Sequence, residues 1–322
     1  MRYDESDRES QNVEDRRSER GGMFGGGRGI QIPIGGGGGL SMTTMLIIGA
    51  IMLLFGFNPL DLMRGMSPGG GGIQIPLPRS EPSARRAGQD ETGINLPRSG
   101  GGEKVGGNED EMKKFISRVL ADTEDVWTPV FKSFGRTYKA PKLILFSGAT
   151  RTGCGQGVTQ MGPFYCPLDQ NVYIDLQFYD ELKRRFNAPG DFAQAYVVAH
   201  EVGHHVQKQL GIADKVQELK EQSDERTANA IQVRMELQAD CLAGVWANLN
   251  DRLKNRIQDG DVEEGLNAAT QIGDDMIQKK TTGRVVPDAF THGSAAQRVR
   301  WFKTGLQSGQ VQSCDTFNAS QL

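Results

Sequence analysis

The chain has 322 residues, with 37 Lys and Arg against 40 Asp and Glu, a formal net charge of −3 and a pI near 5.9. With no basic run interleaved with aromatic residues, this balance offers nucleic acid no electrostatic footprint. Composition also divides the chain, since residues 1–109 hold 25 of the 42 glycines while the last 213 residues carry every cysteine, histidine and tryptophan. The first part cannot bury a core, and the second is long enough for one sizeable domain.

Residues 1–40 read as a disordered cytoplasmic segment. No charged residue occurs from Gly29 through Leu60, and Met42 to Phe57 form an apolar run of 16 residues. With its flanks, residues 41–60, the run approaches the ~20 residues that a bilayer requires and is expected to be one transmembrane helix. Arg2, Arg8, Arg16, Arg17, Arg20 and Arg28 precede it, whereas only Arg64 and Arg79 follow closely. That bias predicts a cytoplasmic N-terminus and a single-pass protein whose bulk is periplasmic or extracellular. A cleaved signal peptide fits less well, because its charged region would be unusually long and no A-x-A site follows. Gly29-Ile30-Gln31-Ile32-Pro33 recurs as Gly72-Ile73-Gln74-Ile75-Pro76, one copy on each side of the run. Residues 61–109, rich in Gly and Pro, read as a flexible linker.

The domain, residues 110–322, opens with helical spacing of Met112, Phe115, Ile116, Val119 and Leu120 up to a break at Pro129. Leu143–Phe146, Pro163–Cys166 and Val172–Leu176 read as strands, Phe178–Phe186 as a short helix, and everything after Asp191 as mainly helical. The order is helix, small sheet, then helices, an α+β class.

Three of the four histidines fall in His200-Glu201-Val202-Gly203-His204-His205. Histidines four apart on a helix share a face and can reach one Zn²⁺, and Glu201 between them is placed to take a proton from water. Pro189-Gly190 breaks the chain, Asp191 can cap the helix and Gly211 can end it. Ala195, Val198, Ala199, Val202, Val206 and Leu210 then form its apolar stripe. A His and a Glu in so apolar a stretch need a partner when buried, and a metal supplies one. His205 points about 100° away and is expected to bond elsewhere.

A catalytic zinc takes a third protein ligand. Met235, Ala239, Leu242 and Trp246 mark a second amphipathic helix, and Glu236 and Asp240 share one side of it. Glu236 is expected as the ligand and Asp240 as the acceptor of a ligating imidazole's other N–H. His292, the only distant histidine, precedes a helix capped by Ser294. It is the alternative third ligand, and as a hydrogen-bond donor it is the first candidate to stabilise an oxyanion, ahead of Tyr165 and Tyr173.

The strings AHEVGHHVQ, RMELQADCLAGVWA, GPFYCPLDQNVYIDL and FTHGSAAQRVRWF resemble the YpfJ-type "putative neutral zinc metallopeptidase" family. The resemblance runs from about Glu109 to the C-terminus and includes the N-terminal apolar segment. HExxH followed by Glu-x-x-x-Asp is similar to the gluzincin pattern, which favours Glu236 over His292. The implied protein is a membrane-anchored zinc metalloendopeptidase with a zincin-like fold, Zn²⁺ as cofactor and a peptide or protein substrate. In that fold an edge strand of the sheet beside the metal helix would receive the substrate in extended form. Sequence does not say which strand.

Four cysteines allow three pairings. Cys154–Cys166 and Cys241–Cys314 are expected, as disulfides of an oxidising compartment. A different class stays open, in which the same residues hold zinc in a non-catalytic membrane protein that acts through partners. Glu201 argues for catalysis, because a structural site needs no base there.

Overall fold

A computed structural model describes residues 1–19, 106–186 and 190–322. The expected span, the repeated pentapeptides and most of the linker lie outside these residues. Among the described residues no helix is long and apolar enough to cross a membrane.

A four-stranded mixed sheet is built from β1 (Val13–Asp15), β2 (Lys142–Phe146), β5 (Phe164–Cys166) and β6 (Asn171–Asp175), in the order β1-β2-β6-β5. A short hairpin of β3 (Ala149–Thr152) and β4 (Gly155–Val158) lies between β2 and β5 in the chain. β1, β2 and β6 are parallel, with Ile144 beside Tyr173, whereas β5 returns antiparallel with Phe164 beside Tyr173. The inner strands are buried on both faces, which is why they read as nearly continuous apolar runs rather than alternating ones.

Eight helices accompany this sheet, among the described residues: α1 (Gly106–Ser133), α2 (Gln177–Phe186), α3 (Asp191–Leu210), α4 (Ile212–Glu221), α5 (Glu225–Lys254), α6 (Asp261–Gln271), α7 (Asp274–Thr282) and α8 (Ala295–Ser308). One core joins them, with Trp127, Phe192, Tyr196, Trp246 and Phe302 almost wholly excluded from solvent. Each such side chain contributes about 1.5–3 kcal/mol by burial. The central crossing is α5 on α8, and it is close because glycines meet there. A Cβ at Gly244 would collide with the Phe302 carbonyl, and one at Gly305 with the Cys241 carbonyl. The α+β, mainly helical class is therefore found.

Three local readings change. Pro129 lies inside α1, which continues to Ser133. Gly190 rather than Asp191 is the N-cap of α3, and Asp191 is its first helical residue. The largest change is at the N-terminus, where residues 1–19 are part of the domain rather than disordered. β1 adds to the sheet, with Val13 beside Leu143 and Asp15 beside Leu145. Met1 is buried, its amino nitrogen 2.6 Å from Asp191 and 3.0 Å from Asp261. Sequence concealed this because the segment is polar and binds through charge and backbone rather than through an apolar stripe.

Both disulfides form in the expected pairing, with Cα–Cα distances of 5.8 Å for Cys154–Cys166 and 5.5 Å for Cys241–Cys314. The second ties α5 to the C-terminal turn Val311–Cys314.

Candidate metal centre

The site is made where α3 crosses α5. α3 runs unbroken for 20 residues and stops at Gly211, whose left-handed backbone (φ 79°) returns its N–H to the carbonyls of Gln207 and Lys208. His200 and His204 stand one turn apart, ring centroids 4.8 Å from each other. Gly203 lies between them, and a Cβ there would press on the Ala239 backbone at 3.0 Å. That close approach lets Glu236 and Asp240 reach the imidazoles.

His200 Nε2 lies 3.2 Å, and His204 Nε2 3.3 Å, from the same oxygen, Glu236 Oε2. The three ligand atoms fall within 4.8 Å of one another, in nearly buried surroundings. The other nitrogens are anchored. His200 Nδ1–H donates to Asp240 at 2.9 Å and His204 Nδ1–H to Gln207 Oε1 at 2.9 Å. Anchoring Nδ1 in this way fixes the tautomer that leaves each Nε2 lone pair free for a cation. Two imidazole nitrogens and one carboxylate oxygen are a donor set that suits zinc. Burial works against charge on His204, yet the Glu236 carboxylate outweighs it and holds the imidazole pKa up at about 9. Burial alone would likewise raise Glu236, but His204 and His292 hold it well below the usual carboxylate range. Imidazole and carboxylate thus stabilise each other's charge.

The wider cavity, about 360 Å³, is lined by the polar side chains of His200, Glu201, His204, Glu236, His292 and Arg298 and by the apolar ones of Met161, Phe164, Phe178, Val197, Ile272 and Ile277. Glu201 is 8% exposed in this wall.

The family of neutral zinc metallopeptidases accounts for this arrangement. Its model, described as "Putative neutral zinc metallopeptidase", matches residues 1–317. The chain belongs to this family. It is 47% identical over 313 residues to YpfJ of Escherichia coli (strain K12), covering 97% of this chain and 98% of that one. It is 42% identical over 226 residues to Rv2575 of Mycobacterium tuberculosis (strain ATCC 25618 / H37Rv), covering 66% and 74%. No solved structure matches.

Within this family member, the five residues first singled out meet in one place: His200, Glu201, His204, Glu236 and Asp240. His292 joins them in the lining of the cavity, half exposed, with Nδ1 3.6 Å from Asp274. The tyrosines named as alternatives to it do not aim at the centre. Tyr173 donates to Asp169 at 2.7 Å and stacks on Phe164, while Tyr165 donates to His205 Nδ1 at 3.0 Å. His205 in turn donates Nε2–H to the Lys139 carbonyl at 2.6 Å, a structural role outside the centre.

Sequence reasoning missed three supporting residues. Arg298 grips Asp240 with Nε at 2.8 Å and Nη2 at 2.9 Å, and Tyr196 donates its hydroxyl to the same carboxylate. Asp274 receives the backbone N–H groups of Thr291, His292 and Gly293 at 2.6–3.0 Å, which fixes the turn that carries His292. Arg298 lies within FTHGSAAQRVRWF, and its place on the buried helix face of Ala295, Trp301, Phe302 and Gly305 was a signal. Nothing local marks Asp274.

Proposed function

We propose that this protein is a zinc-dependent endopeptidase. The observation that carries the reading is the convergence of His200 Nε2, His204 Nε2 and Glu236 Oε2 beside Glu201 in the wall of an open cavity. A bound zinc ion supplies Lewis-acid polarisation of the scissile carbonyl and makes water more acidic. Glu201 accepts the proton of the attacking water and returns it to the leaving amine. His292, held by the Asp274-braced turn, donates to the oxygen that becomes negative, and Asp240 keeps His200 oriented throughout.

The sheet supplies the track for substrate. β5 is the edge strand on the cavity side, and Phe164 and Tyr165 belong to the cavity lining. An extended peptide adds to this edge by backbone hydrogen bonds, and the Met161, Phe178, Val197 and Ile277 surface accepts an apolar side chain. The two disulfides support an oxidising compartment for the domain. Residues 41–60, an apolar run, would attach it to a membrane.

The test is a peptide-library digest by the purified protein, alongside zinc stoichiometry, for the wild type and Glu201→Gln. The near-isosteric variant should keep zinc and the fold while turnover falls about 10²–10⁴-fold. A wild type that binds zinc yet cleaves nothing across a broad library would instead make this a metal-binding protein that acts through partners.

A further inference from the structure

Residues 1–19 are fastened to the domain at many points. Tyr3 donates its hydroxyl to buried Asp122 at 2.9 Å, packs its ring edge-on to Phe115 and lies under the Arg256 guanidinium at 4.3 Å. Arg8 pairs with Glu124 at 2.8 Å and Asp125 at 2.7 Å, and Asp7 with Arg256 at 2.8 Å. β1 covers the outer edge of β2, whose Leu143, Ile144, Leu145 and Phe146 are all buried. Without it, β2 would present a row of unpaired N–H and C=O groups in an apolar setting, a costly arrangement and an invitation to aggregate.

The two ends of the intervening chain also meet. Arg17 Nη1 lies 3.0 Å from Glu109, and Lys113 lies 2.9 Å from Asp15. The described chain on either side of residues 20–105 therefore meets at nearly one point. A single membrane crossing would separate those ends by the ~30 Å of the hydrocarbon core. A 3.0 Å ion pair cannot span that.

We infer that residues 1–19 and 106–322 occupy one compartment, on the same face of the membrane. Any membrane contact made by the residues between them is then not a single crossing. The arginine bias that suggested otherwise has another explanation, since Arg8 and Arg17 are neutralised by Glu124, Asp125, Asp15 and Glu109 of the fold itself. The family match, which begins at residue 1, agrees with the N-terminal segment belonging to the domain.

Cysteine labelling in intact cells tests this on the full chain, because all four native cysteines are paired. Glu5 and Arg226 are exposed, with side chains 91% and 76% accessible. In Glu5→Cys and Arg226→Cys, a membrane-impermeant maleimide should label both positions alike before lysis. Labelling of one before lysis and the other only afterwards would overturn the inference. If neither is labelled until lysis, the shared compartment stands and the export proposed above is what fails. Docking has its own readout, in which Tyr3→Ala should lower the melting temperature of the protein in native membranes by several degrees. An unchanged melting temperature would also count against the inference, and neither result depends on zinc or hydrolysis.

Discussion

Arg298 holds Asp240 in a two-pronged grip at 2.8 and 2.9 Å, and the same carboxylate accepts His200 Nδ1–H at 2.9 Å. Burial would raise the Asp240 pKa, but Arg298 and His200 outweigh it and hold it at about 2. The guanidinium thereby keeps a fully buried carboxylate ionised, and the carboxylate keeps an imidazole aimed. Breaking one member leaves an uncompensated buried charge, at a cost of about 3–5 kcal/mol. Arg298→Ala should accordingly lower the calorimetric melting temperature by roughly 6–20 °C, at about 2–4 °C per kcal/mol for a domain of this size. Asp240→Ala should loosen zinc about 10–100-fold through lost orientation. Unchanged zinc affinity in Asp240→Ala would remove it from the centre.

The identity of the third ligand is open to a direct comparison. Glu236 Oε2 touches both Nε2 atoms, whereas His292 Nδ1 faces Asp274 at 3.6 Å. Alanine at His200, His204 or Glu236 should abolish tight zinc binding, and His292→Ala should leave about one zinc per chain. Metal analysis of dialysed variants decides it. Retention of zinc by Glu236→Ala with loss in His292→Ala would exchange the two.

If His292 serves the oxyanion, its removal should show in turnover and not in metal. His292→Ala should lower kcat about 10²–10³-fold with KM nearly unchanged, the loss typical of one donor that acts only in the transition state. Asp274→Asn keeps an acceptor for the backbone N–H groups of residues 291–293, so its defect should be smaller. A change confined to KM would assign His292 to substrate binding instead.

Much of this centre was legible because its signals are periodic. Histidines four apart and acids four apart predict two helix faces, and the crossing at Gly203 brings them together as expected. The cysteine pairing also held. Arg298 and Asp274 escaped because they act across loops that no local pattern joins, 58 and 18 residues from Asp240 and His292. Residues 1–19 escaped for a different reason. Their composition fails the test for a core, yet a segment can join a sheet by its backbone and be fixed by ion pairs without burying much of itself. Tertiary context decides such cases, and composition is blind to it.

The disulfides should contribute unequally. Cys154–Cys166 closes 12 residues and Cys241–Cys314 closes 73. In the chain-entropy model the short loop stabilises by about 3 kcal/mol and the long one by about 4–5 kcal/mol. Denaturant unfolding of Cys154→Ser/Cys166→Ser and Cys241→Ser/Cys314→Ser should show the larger loss in the second pair, which also frees the C-terminal turn from α5. Equal losses would mean that residual structure in the unfolded chain, rather than loop length, sets the effect.

Acid should release the N-terminal segment before it unfolds the core. Arg256 lowers the pKa of Asp7 from across the docking contact, while Asp15 and Glu14 are lowered first by Arg17 and Arg16 of the segment itself and further by Lys113 and Lys142 of the domain. A carboxylate depressed on folding lends stability that is complete above its unfolded pKa, about 3.9 for Asp and 4.3 for Glu, and is lost as pH falls through the folded value. Protons therefore bind more readily to the undocked segment, and docking weakens progressively below about pH 4. These groups are partly exposed, so salt should weaken the same contacts at neutral pH. Amide exchange read at residues 13–15 and at 143–145 should show the β1–β2 ladder losing protection as pH falls, after allowance for the pH dependence of intrinsic exchange. The core of α3 should keep its protection over the same range, since its buried stretch does not rest on these pairs. Protection of β1 that persists unchanged through pH 2–4 would mean that backbone pairing and the Tyr3 packing, rather than the ion pairs, hold the segment in place.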